Sequence, residues 1–87
     1  MHAVVVEVNI TDPEGSVKVL REQIVPRVKE SPGFVAGYWT RKDNTGLSMV
    51  MFETEDQANT MSEQVRSMLP EGVAAQRIEV REVAAHA

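Results

Sequence analysis

Three residues of this chain are of a type and placement to hold or act on a small molecule. Asn9 lies near the end of a β-branched run from His2 to Ile10. A carboxamide there can grip an oxygen-bearing ligand or stabilise a developing oxyanion, or it can simply bond the backbone of the turn that follows. Tyr38 and Trp39 are adjacent in a second β-forming stretch. Neighbours along a strand point to opposite faces, so at most one of them lines a given pocket, and core or interface packing is the ordinary use of such rings. Asn9, Tyr38 and Trp39 together form the candidate ligand-binding set.

Other constellations have plainer explanations beside the chemical one. His2 and His86 fall near the ends of two strands expected to be neighbours, and with Glu82 they would make a metal site. Chain ends fray, however, so solvation is the expectation and no metal site is assigned. Glu7, Arg77, Glu79 and Arg81 share a face parity, which suits cross-strand ion pairs, with capture of a substrate carboxylate as the alternative. Met49, Met51, Met61 and Met68 can line an adaptable apolar pocket or fill gaps in a core. The chain has no cysteine, no Gly-x-Ser-x-Gly, no phosphate-binding loop and no paired-histidine zinc spacing, so hydrolase and kinase readings lack support. No cofactor is implied.

The elements that position these residues follow from periodicity. His2 to Ile10 alternates Val4, Val6, Val8 and Ile10 against Ala3, Val5, Glu7 and Asn9 as a first strand. Thr11-Asp12-Pro13-Glu14 predicts a helix start with a capping box, and Val17, Leu20, Ile24, Val25 and Val28 form its apolar stripe. Lys18, Arg21, Glu22 and Lys29 fall mostly on the solvent side. Pro26 removes a backbone hydrogen bond and crowds the carbonyl of Glu22, which predicts a kink or a restarted last turn. Ser31-Pro32-Gly33 stops the helix, and Phe34 to Lys42 is a second strand with Phe34, Ala36 and Tyr38 on one face and Val35, Gly37 and Trp39 on the other. A turn over Asp43-Asn44-Thr45-Gly46 leads to a third strand, Leu47 to Glu53, apolar on both faces. Thr54-Glu55-Asp56-Gln57 opens a second helix with the stripe Ala58, Met61, Val65, Met68 and Leu69. Pro70-Glu71-Gly72 ends it, and Ala74 to Val83 is the last strand.

This order predicts one α+β domain over residues 1–87: ferredoxin-like βαββαβ, a four-stranded antiparallel sheet with two helices on one face. Right-handed crossovers put both helices on the same side, leaving the second face bare. Its composition is too apolar for water, and the same face of a second copy is the simplest cover, so a homodimer is expected. A chain of 87 residues removes only about 60–65% of its unfolded surface from water, which makes such help welcome. The apolar run Ala3 to Val8 is too short to span a bilayer and has no basic start, so a soluble, cytoplasmic protein is expected. A net charge of −4 opposes binding to nucleic acid or anionic lipid. RNA-recognition domains share the element order, but Leu47-Ser48-Met49-Val50-Met51-Phe52 offers one aromatic and no base where they need both.

The β-rich start Val4 to Asn9, the helix end Val25-Pro26 before Lys29-Glu30-Ser31-Pro32-Gly33-Phe34, and the passage Phe52-Glu53-Thr54-Glu55 resemble the dimeric α+β barrel superfamily, and in particular antibiotic-biosynthesis-monooxygenase-like proteins. The resemblance covers nearly the whole chain and implies a dimeric α+β barrel. It further implies a small hydrophobic or aromatic ligand, with a cofactor-independent monooxygenase-like activity as one reading and a non-enzymatic dimeric interaction or accessory module as the other. Haem-degrading relatives also carry an asparagine on the first strand, which Asn9 matches. Their histidine on the helix after the third strand has no counterpart between Glu55 and Leu69.

Overall fold

Strand β1 (His2–Ile10) lies inside the sheet, paired antiparallel to β3 (Thr45–Phe52) on one side and β4 (Val73–Glu82) on the other. Strand β2 (Phe34–Lys42) pairs with β3 at the edge, giving the order β2-β3-β1-β4. Between β1 and β2 runs a helical rod of three parts, α1 (Pro13–Val19), a π turn (Leu20–Ile24) and α2 (Val25–Lys29); α3 (Glu55–Met68) joins β3 to β4. The computed structural model describes residues 1–87, and they form the ferredoxin-like βαββαβ fold with both helical elements on one face of the sheet. No helix is long and apolar enough to cross a membrane.

Alternation in β1 sets the layers. Val4 and Val6 face the helices and join Val28, Val50, Phe52, Ala58 and Met61 in the buried core. In β3, Val50 and Phe52 share that face while Leu47, Met49 and Met51 take the other, as the alternation predicts. The second strand departs from simple alternation. A bulge at Val35 shifts the register between Phe34 and Ala36, which turns Phe34 onto the helix side opposite Phe52. The two rings meet edge to face with centroids 6.4 Å apart. Ala36 and Tyr38 keep the open face, and Gly37 and Trp39 the helix face.

Helix starts follow local hydrogen-bond chemistry. Thr54 and Gln57 form the reciprocal capping box expected for α3, at 3.1 and 3.2 Å. The α1 box does not form: Asp12 is the cap, accepting from the Gly15 amide at 3.2 Å. Thr11 instead donates its amide and hydroxyl to the Gly72 carbonyl at 2.9 and 3.0 Å, tying the start of α1 to the turn before β4. Pro26 takes its effect as the π turn. The Val25 amide reaches back five residues to the Leu20 carbonyl, and the widened turn absorbs the bond that proline cannot make to Glu22. The β2–β3 turn is tighter than expected, with only Asp43 and Asn44 outside the strands; Asp43 adopts φ 54° and Thr45 already pairs with Lys42.

Gly33 holds the entry to β2. Its φ of 79° is left-handed, its carbonyl accepts from the Glu53 amide at 2.9 Å, and a Cβ there would collide with the Gln57 side chain that caps α3. Gly33→Ala is therefore expected to lower stability by about 1–3 kcal/mol in urea unfolding, through backbone strain and loss of the cap together. An unchanged midpoint would show that the α3 cap does not depend on this turn.

Candidate functional site

The rod and α3 do not close equally on the sheet. Helix α3 packs against β4, β1 and β3, and α2 packs against β2, whereas α1 and the π turn stand further from the strands. The space left between them is a cavity of about 460 Å³. Val4, Val6, Val8 and Ile10 of β1 form its floor, Leu20, Ile24 and Val28 its roof, and Met61, Val65 and Met68 a wall. Its polar lining is limited to Ser16, Thr40, Ser48 and two arginines, Arg21 and Arg41; no carboxylate or imidazole lines it. Four of the lining residues are exposed; of these Arg21 and Arg41 mark the mouth, whereas Thr40 and Leu47 pair with each other on the open-face side of β2 and β3.

Trp39 is the candidate residue that reaches this cavity. It lies on the helix-facing side of β2, half-buried, and its six-membered ring lies over Gly37: a Cβ at position 37 would sit 2.8 and 2.9 Å from two ring carbons. The absence of a side chain at Gly37 thus lets the indole lie down on the sheet beside Phe34. Asn9 and Tyr38 are on the opposite, open face, where Asn9 pairs with Thr45 and Ala74, and Tyr38 pairs with Met49. The structure separates Tyr38 from Trp39, as neighbours in a strand must be.

The other constellations sort in the same way. Met61 and Met68 line the cavity, while Met49 lies exposed on the open face. Arg77 pairs with Glu7 at 3.4 Å and with Glu79 at 3.6 Å, and Arg81 pairs with Glu79 at 3.2 Å, forming an ion ladder across β1 and β4. His2 meets Glu55 at 3.1 Å rather than His86. The open face beside the ladder is apolar: Val35, Tyr38, Leu47 and Met49 are 44%, 64%, 45% and 44% exposed. Together they present an exposed apolar patch.

Arg21 and Arg41 were not singled out by residue type. Arg41 was within reach of the pattern, being two positions past Trp39 and so on the same face. Arg21 was within reach too: it stands four residues after Val17, three before Ile24 and seven before Val28, so regular helical spacing puts it on the apolar stripe rather than on the solvent side expected from its charge.

No family model matches the chain, and no curated protein matches its sequence. Among solved structures, the chain is similar to a monooxygenase from the gene ActVA-Orf6 of Streptomyces coelicolor, crystallised with the ligand nanaomycin D. The TM-score is 0.58 at 14% identity, over 99% of this chain and 91% of that one. The likeness is one of fold.

Gly37→Val is expected to lift the indole off the sheet. Trp39 is the sole tryptophan, so its emission maximum should move to longer wavelength in the folded variant. An unchanged spectrum would contradict the close approach of ring and backbone.

Proposed function

We propose that this chain is a homodimeric α+β barrel protein that binds a small hydrophobic, aromatic molecule against Trp39 and oxidises it as a cofactor-independent monooxygenase-like enzyme. The observation that carries the reading is the apolar cavity between rod and sheet. At about 460 Å³ it falls within the range of pockets that enclose small ligands, roughly 300–1,000 Å³. A monooxygenase of the same fold, crystallised with nanaomycin D, adds support by analogy.

The chemistry asks little of the protein beyond binding. An electron-rich ring methylene can be converted to a carbonyl by dioxygen, which gives one oxygen atom to carbon and the other to water while the substrate supplies all four electrons. The lining would hold the ring flat on Trp39, exclude water and keep the reacting carbon in a dry site. The missing carboxylate and imidazole in that lining favour a second reading, a dimeric binding or accessory module without turnover.

The dimer rests on the open face. The chain exposes 5836 Å², against about 5,100 Å² for a monomer of its mass. A two-fold stack of open faces would cover Val35, Tyr38, Leu47 and Met49 with their own copies and bring Asn9 and the ion ladder to the contact. Met49→Glu is expected to yield a folded monomer whose melting temperature no longer rises with protein concentration. A concentration-independent wild-type melt would count against the dimer.

Oxygen uptake with anthrone as probe separates the two functional readings. The enzyme reading predicts uptake and quinone formation above the spontaneous rate, largely lost in Trp39→Ala. Binding of anthrone with no added uptake would sink that reading in favour of the accessory module.

A further inference from the structure

We infer that the cavity selects hydrophobic acids: an apolar body seated against Trp39, with a carboxylate held at the mouth by Arg21 and Arg41. The inference rests on the cavity being a ligand site and names the class of ligand it takes.

Charge is the first argument. The chain has 13 acidic and 9 basic residues, yet every charged residue lining this cavity is an arginine. A rim drawn from such a surface without regard to its contents would be expected to include acid. Position is the second. Both arginines are exposed and stand at the mouth, on separate elements, Arg41 two residues past Trp39 on the helix-facing side of β2 and Arg21 in the π turn. The interior behind them is apolar, so it would exclude an ionised group and leave a ligand's charged end at the rim.

The third argument is that both guanidinium groups are unpaired. The ion pairs of the chain join His2 to Glu55, Arg77 to Glu7 and Glu79, and Arg81 to Glu79. The arginines of the open face are thus held by protein carboxylates, and those of the cavity are not. A guanidinium presents a planar fork of donors that matches a carboxylate, and two of them fix which end of a ligand faces out. The ring end then lies inward against the indole, so the anchor orients the ligand as well as retaining it.

The test uses 2-anthracenecarboxylate and 2-anthracenemethanol, matched in ring and differing in charge, with energy transfer from Trp39 to anthracene as the readout. The wild-type protein is expected to bind the acid about tenfold more tightly at low salt, a preference that shrinks as salt is added. The double variant Arg21→Gln/Arg41→Gln should bind both probes alike. The control Arg27→Gln/Lys29→Gln, which removes the same charge outside the cavity lining, should keep the preference. Equal affinity of the wild type for acid and alcohol would overturn the acid assignment and leave the cavity reading standing. A preference that survives in the Arg21/Arg41 variant would overturn it too, by placing the anchor elsewhere. Failure of both probes to accept energy from Trp39 would overturn the ligand site itself.

Discussion

Two helical elements can cover only one side of a four-stranded sheet, and that constraint organises the chain. It divides every strand into positions that meet helices and positions that do not. Val4 and Val6 gain burial from the helices, worth about 1.5–3 kcal/mol for each fully buried side chain. Ala3 and Val5, at 3% and 5% exposure, lie on the other face and are covered by side chains of the flanking strands. Further out on that face Tyr38, Leu47 and Met49 have no such cover. The apolar strip and the ion ladder beside it are what this fold offers to a second copy.

The helix side is also incompletely filled, for a reason that begins with one residue. Pro26 cannot donate to Glu22, the rod widens into a π turn, and its N-terminal half stands off the sheet. Interiors are ordinarily packed to crystal density, so an 87-residue chain that leaves about 460 Å³ beneath one helix forgoes packing it can ill spare. A ligand that binds the native state restores some of that stability, as does a partner subunit. Cavity and open face are alike in this respect: both are apolar surfaces the single chain leaves unfilled or uncovered.

Much of this was legible in the sequence, because strands of period two and capped helices of period 3.6 are local signals. The element order, the division of β1 and β3 into faces, the separation of Tyr38 from Trp39 and the α3 capping box all follow from such patterns. Three features were hidden from such local patterns. The bulge at Val35 moved Phe34 to the core. Thr11 gave its hydroxyl to Gly72, 61 residues away, instead of capping α1. The cavity itself leaves no trace in the stripe Val17, Leu20, Ile24, since apolar residues read alike whether they pack together or line a space. Asn9 was correctly grouped with Val5, but alternation alone does not say which group meets the helices.

The two-faced sheet is tested most directly by the mass of the wild-type protein in sedimentation equilibrium over a dilution series. A particle of twice the 9.7 kDa chain that persists on dilution is the result predicted for open faces joined by two-fold symmetry. A mass of 9.7 kDa at every concentration would contradict it, and would mean that Tyr38, Leu47 and Met49 remain in water on a stable monomer.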